Sequence, residues 1–268
     1  MNPSTPASPF RAPVLALALF GLFGRSAWAQ FPSLRATDTR TSTPEAIMAD
    51  RTDWGMDIDW GGSFNRGNTN VDYGGGGFDV FKNWTNQTAY VSGATIYNRF
   101  NGLQVLNQGS LTARYDYVVA APWKVFVFNT NAYNQFTRID YRETGGIGPW
   151  CDLAWGETKH GLSLAAAQEY EHDQGGVYRR TARISFRDIS NFPISETASI
   201  STDFFFIPQA DLLNNYRLFG EIALKTMIWK KYLGLKLAWT DDYNNRPQPG
   251  IKPNDTVWLT SFTLHFGR

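Results

Sequence analysis

Long apolar runs, cysteine and histidine are scarce in this sequence, and neither sign of charge prevails. After residue 24 no apolar stretch approaches the roughly 18 residues of a helical membrane span, which excludes a helical membrane protein. A single cysteine excludes an internal disulfide and a paired-cysteine metal site. The three histidines, His160, His172 and His265, show no ligand-like spacing, so neither a metal nor any other cofactor is called for. Lys plus Arg total 25 against 24 Asp plus Glu, so the basic excess of a nucleic-acid binder is missing. What is present is 15% aromatic residues, 24 glycines and only 18% charge, a composition that folds rather than one that stays disordered. A length of 268 residues allows one domain or two small ones. Two classes remain: a soluble all-β protein, or a transmembrane β-barrel.

The amino-terminal residues have the makings of an export address. Arg11 precedes the apolar stretch Ala12 to Gly24, and Ala27-Trp28-Ala29 is an A-x-A cleavage site. Residues 1–29 are therefore expected to be a cleaved signal peptide, with Gln30 opening the mature chain. Residue 30 is not cysteine, so the leader is not of the lipoprotein kind. Its removal takes away Arg11 and Arg25 and leaves 23 basic residues against 24 acidic ones. Residues 30–54 form a polar periplasmic linker without strand alternation, read as disordered. Within it Thr43-Pro44-Glu45 can start one helical turn, because proline suits the first helical position. The third segment, 55–268, is the expected barrel domain.

From Gly55 onward the pattern has period two. Met56, Ile58, Trp60 and Phe64 alternate with Asp57, Asp59, Gly61 and Ser63. Tyr178, Ala182, Ile184 and Phe186 alternate with Arg179, Thr181, Arg183, Ser185 and Arg187, with Arg180 the exception. Leu218, Ile222, Leu224 and Ile228 alternate with Arg217, Glu221 and Lys225. Such alternation over about ten residues is the mark of a two-faced sheet. Twelve strands are predicted: 55–66, 70–82, 85–99, 105–118, 124–138, 140–151, 160–172, 177–188, 196–207, 215–229, 232–243 and 255–266. The sixth carries Pro149, which loses a ladder bond.

Periodicity alone does not say which face is the core, but three other features favour a barrel. Twelve is an even number, as in single-chain bacterial barrels. Most predicted strands run 12 to 15 residues, longer than the common globular strand and suited to tilted spanning strands. Finally, all five connections on the side of the termini carry an aromatic residue: Asn83-Trp84, Pro122-Trp123, Trp155-Gly156, Phe192-Pro193 and Trp229 to Tyr232. An aromatic girdle at a membrane interface would place them so.

On these residues a family resemblance can be stated. The stretch Gly62-Ser63-Phe64-Asn65-Arg66-Gly67-Asn68-Thr69-Asn70 resembles the G-x-S-x-x-x-G-N-T opening of the DUF481 family, which includes salt-induced outer-membrane proteins. Asp242-Tyr243-Asn244-Asn245-Arg246-Pro247, with Pro249-Gly250 and Asp255-Thr256, is similar to that family's closing hairpin, and Gly145-Gly146-Ile147-Gly148 to its middle. The resemblance covers about 55 to 266 and implies an outer-membrane barrel of a Gram-negative-type bacterium, but no known reaction or substrate. The usual terminal aromatic residue of such barrels is here Phe266, followed by Gly267-Arg268.

Chemistry-bearing constellations are sparse. A barrel lipid hydrolase needs Ser and His on adjacent strands, and the one conceivable pair is His265 with Ser63. Asp241-Asp242 with Asp255 can be imagined holding a divalent cation, though a polar loop is the simpler reading. Cys151 reads as a small strand residue, and Gly74 to Gly77 as a place of bending or close packing rather than a phosphate loop. By parity the polar face carries Arg114, Asp116, Glu169, Glu171, Arg179, Arg183, Arg187, Asp203, Arg217, Glu221, Lys225 and Lys236 as lumen charges. In a barrel they either select solutes or fill the interior. Hairpin geometry sets Glu171 opposite Arg179 and Ala167 opposite Arg183; a two-residue turn at Lys230-Lys231 would set Lys225 opposite Lys236, a like-charge pair that means either another register or neutralising acids. If Arg183, Lys225 and Lys236 stay uncompensated, an anion-preferring pore results; if acids such as Glu221 and Asp203 neutralise them, it does not. The expected function is thus a narrow solute pore or a structural envelope barrel without catalysis, in contact with outer-membrane lipid and, during biogenesis, the barrel-assembly machinery. The alternatives are a soluble periplasmic β-sandwich binding module and a barrel-embedded lipid hydrolase.

Overall fold

The computed structural model describes residues 54–267, except 66–70, 101, 102, 136, 231 and 252. The expected leader and all of the linker but Trp54 lie outside the described residues. Twelve strands follow one another: β1 (Trp54–Asn65), β2 (Val71–Trp84), β3 (Gln87–Phe100), β4 (Leu103–Ala120), β5 (Trp123–Asn134) and β6 (Ile139–Trp155). The second half is β7 (Thr158–Asp173), β8 (Tyr178–Ser195), β9 (Ala198–Gln209), β10 (Leu212–Trp229), β11 (Leu233–Asn244) and β12 (Asn254–Gly267). Each pairs antiparallel with its sequence neighbour, and β1 pairs with β12, with Asp57 opposite His265 and Gly61 opposite Ser261. The sheet closes into a barrel with no free edge, the arrangement that satisfies every strand in lipid.

The outer face answers the question that periodicity left open. Trp60, Val91, Leu111, Val125, Val127, Ile147, Leu164, Phe204, Ile222 and Phe262 all point out of the barrel and are exposed. A soluble sandwich would bury this face between its two sheets, whereas a transmembrane barrel turns it to lipid. The two rims differ in chemistry. At the end carrying the termini, Trp54, Trp84, Trp123, Trp155 and Trp229 ring the barrel, Trp155 being 85% exposed. At the other end, exposed Tyr97, Tyr133, Tyr141, Tyr170 and Tyr178 take that place. Trp123 and Tyr133 on β5 are ten residues apart. At about 3.3 Å per residue and a tilt of about 40°, this projects to about 25 Å, the height of an outer-membrane apolar band.

Three strands depart most from expectation. β5 ends at Asn134 rather than 138, because the chain turns before Arg138, whose φ of 59° is incompatible with a strand. β6 continues to Trp155 rather than ending at 151, because Pro149 faces outward and from Tyr141 on its ladder with β7 skips only Gly148 and Pro149. Gly148 explains how the strands stay together there: a β-carbon at this position would overlap the carbonyl oxygen of Leu164, so only glycine lets β7 approach. Phe192-Pro193 is not a connection. β8 runs on to Ser195 and the turn is Glu196-Thr197, since Pro193 sits where the β8–β9 ladder already shifts register and costs little there. Phe192 is nevertheless exposed close to that rim.

Candidate functional site in the barrel lumen

Alternation drives one residue in two into the lumen, and the inward set divides into two layers and one wall of mostly smaller residues. The layer toward the termini is aromatic. Phe126 and Phe128 of β5, Trp150 of β6, Ala165 and Ala167 of β7 and Ile189 of β8 form a buried cluster inside the barrel. Trp150 fits because Gly161 of β7 leaves room for its indole, which a β-carbon there would overlap. Two arginines lie on this layer. Arg114, whose side chain is 0% exposed, sits 4.1 Å from the Phe126 ring centre and 4.9 Å from that of Trp150. Its Nε and Nη2 donate to Asp116 at 3.0 and 2.6 Å, while Nη1 has no partner among the described residues. Arg187 lies 4.5 Å from the Phe205 ring centre and donates to Asp203 through Nε at 2.8 Å and Nη2 at 2.6 Å. Cation–π contact and a carboxylate together compensate each buried guanidinium.

The second layer, toward the opposite rim, is an ion network across β6, β7, β8 and β10. Glu169 accepts from Arg183 Nε at 3.1 Å and from Arg217 Nη1 at 2.9 Å, with Arg142 at 3.7 Å. Glu171 accepts from Arg142 Nη2 at 2.5 Å and from Arg179 Nη1 at 3.1 Å. Arg179, whose side chain is 45% exposed, also reaches Asp173 at 2.8 Å. The register is Glu171 opposite Arg179 and Ala167 opposite Arg183. Arg142 and Asp173 complete the network, although neither was among the sequence candidates. The obstacle for Arg142 was Trp150, which shares its parity and looks like a lipid-facing residue but points inward. The aromatic lumen layer was missed for the same reason: periodicity assigns large apolar residues to lipid.

The remaining wall, β11, β12, β1, β2 and β3, carries small inward residues at mid-height, with Phe81 and Tyr90 buried toward the end of the termini and Ile96 toward the opposite rim. Gly61, Gly77, Ser92, Ala94 and Ser261 border a cavity of about 50 Å³, joined by Asp59, Asp79 and Lys236. That is room for a few water molecules. Lys236 stands opposite Lys225, and its Nζ donates to Glu221 at 2.7 Å. Asp79 accepts from the Tyr90 hydroxyl at 2.6 Å, Asp59 from Thr263, and Asp57 lies 2.7 Å from His265 Nδ1.

Little of the remaining candidate chemistry is assembled. Asp57, not Ser63, is the partner facing His265, and the Ser63 side chain lies outside those described. His160 Nδ1 does lie 2.7 Å from Ser190 Oγ, on the outer face. Yet Ser190 is 4% exposed and its hydroxyl donates to Asp188 at 3.0 Å, the geometry of a satisfied polar pair rather than of an activated nucleophile. Among the described residues no group of three or more His, Cys, Asp or Glu is placed to hold a metal ion. Asp241 is engaged by Thr256 Oγ1 at 2.5 Å.

Residues 58–266 match the family model described as "Protein of unknown function, DUF481". The chain belongs to the DUF481 family. The opening motif of that resemblance falls largely on residues outside those described, while the closing hairpin is β11–β12. Comparison with curated proteins by sequence gives no match. Among solved structures, an outer membrane channel from Pseudomonas putida F1 is similar at 9% identity and a TM-score of 0.52, over 81% of this chain and 97% of that one. NanC porin is similar at 12% identity and a TM-score of 0.47, over 78% and 97%. KdgM porin, in complex with disordered oligogalacturonate, gives 10% and 0.43 over 80% and 99%. The likeness is one of fold: this DUF481 member is a closed twelve-stranded antiparallel transmembrane barrel.

Proposed function

We propose that this DUF481 protein is a narrow channel of the Gram-negative outer membrane, passing small solutes along the wall formed by β11, β12, β1, β2 and β3, with a preference for cations. The observation that carries the reading is the asymmetry of the lumen. Aromatic and ion-paired side chains fill the β4–β10 side, whereas on the other glycine, serine and alanine leave a cavity between the buried Phe81–Tyr90 pair and Ile96. Asp59 and Asp79 face that cavity, and the cation lining it among the described residues, Lys236, is held by Glu221. Carboxylates in a narrow passage favour cations. Against an anion preference stand the bonds of Arg183 to Glu169 and of Lys236 to Glu221. The bilayer lipid is the surrounding partner, and catalysis has no part in this reading.

A second reading is favoured by the same two layers taken alone: a barrel filled for stability, serving the envelope as structure. Purified protein in planar bilayers separates the two. Conductance with a cation-directed reversal potential in a salt gradient supports the channel. The absence of conductance supports the filled barrel, and anion preference defeats the charge assignment.

A further inference from the structure

The hairpins β5–β6 and β11–β12 stand diametrically opposite in the ring, with four strands between them on either side. The Arg138 side chain nevertheless comes close to the tip of the opposite hairpin. A β-carbon on Gly250, in the β11–β12 connection, would sit 4.0 Å from Nη2 of Arg138, in the β5–β6 connection. Residues 245–253 separate the two strands. A nine-residue connection has a contour of about 30 Å and can reach out about half of that, so this approach has residues 245–251 leaning inward over the lumen with Arg138 extended toward them.

The sequence makes this connection a shaped strap. Pro247, Pro249 and Pro253 restrict the backbone. Ile251 N donates to Gln248 O at 3.0 Å, with Pro249 and Gly250 between them and Gly250 at φ 83°, which is the residue order of a type II turn. At the foot, Asn244 N donates to Pro253 O at 2.7 Å. The strap is tied to the top of β10: Tyr216 N donates to Asn245 Oδ1 at 2.7 Å, Asn245 Nδ2 to Asn214 O, and Arg246 Nη2 to Asn214 Oδ1 at 3.2 Å. The far anchor is held as well. Arg138 adopts φ 59°, costly for a residue with a β-carbon, and its carbonyl accepts from Gln174 N at 3.0 Å.

We propose that residues 245–251 are a preformed lid, hinged at the Asn214–Asn245 clamp and resting on Arg138, that limits access to the lumen from the rim opposite the termini. The lid stands on its own geometry; its effect on permeation rests on the channel reading. The test uses the full chain in a Cys151→Ser background, with Thr240→Cys on the inner face of β11 below the lid. A membrane-impermeant charged maleimide is applied from the loop side. Replacing residues 247–251 by two glycines should raise the labelling rate severalfold, and Arg138→Ala, which leaves the strap intact, should raise it less. Heat-modifiable mobility on gels verifies that each barrel is folded. Unchanged labelling in both variants overturns the lid. Faster labelling accompanied by larger conductance supports lid and channel together. Faster labelling with no conductance in any variant keeps the lid and overturns the channel.

Discussion

Lys225 and Lys236 stand directly opposite each other on β10 and β11, and Glu221 holds Lys236 at 2.7 Å. Like charges in register repel, so this hairpin depends on an acid four residues along the same strand as Lys225. Glu221→Gln would leave the Lys236 ammonium at the cavity without its counter-charge. The reversal potential in a salt gradient should move toward anions. An unchanged potential would remove Lys236 from the permeation path.

Glu169 is the centre of the ion network, with Arg183 and Arg217 bonded to it and Arg142 at 3.7 Å. Removing one partner of a buried ionic cluster costs about 3–5 kcal/mol, because the remaining charges stay desolvated. Glu169→Gln should lower the midpoint of urea unfolding in detergent accordingly. Arg179→Ala, at the half-exposed margin, should cost far less.

Ile222 is 51% exposed on the lipid face, between Trp229 and Tyr216 on β10. An arginine near the midplane of a barrel costs about 2–4 kcal/mol. Ile222→Arg should therefore depress the yield of heat-modifiable barrel, while Lys225→Arg is tolerated. Equal yields from both would reverse the assignment of inside and outside.

Gly148→Ala would press a methyl group into the Leu164 carbonyl and force β6 and β7 apart, at a cost of about 1–3 kcal/mol. Gly220→Ala meets nothing within 4 Å and serves as the control. Unfolding midpoints of the two variants give the comparison, and a Gly148→Ala midpoint equal to the control's would show that the strands adjust freely.

The mass of the protein isolated from the cell envelope should correspond to a chain beginning at Gln30, as Ala27-Trp28-Ala29 implies. Retention of residues 12 to 24 would contradict it.

What the sequence by itself determined is local. Alternation located twelve strands, and the turn Gln174-Gly175-Gly176 placed Glu171 opposite Arg179, because cross-strand register follows from loop length. Lys225 opposite Lys236 stood as one of two registers in the sequence; the structure reaches it with three residues between Trp229 and Leu233 and an irregularity between Met227 and Trp229. Only the tertiary structure decided which inward residues meet. Glu169 and Arg217 are 48 residues apart and lie on β7 and β10, joined across the lumen by curvature and closure rather than by any hairpin. Trp150 and Phe126 follow strand parity into the interior, although their chemistry suits lipid, because Gly161 makes room for the indole and Arg114 stacks on both rings. The close approach of Gly250 to Arg138 brings together hairpins that only a closed ring sets face to face. A period of two says which side of the sheet a side chain takes; closure of the ring decides what it finds there.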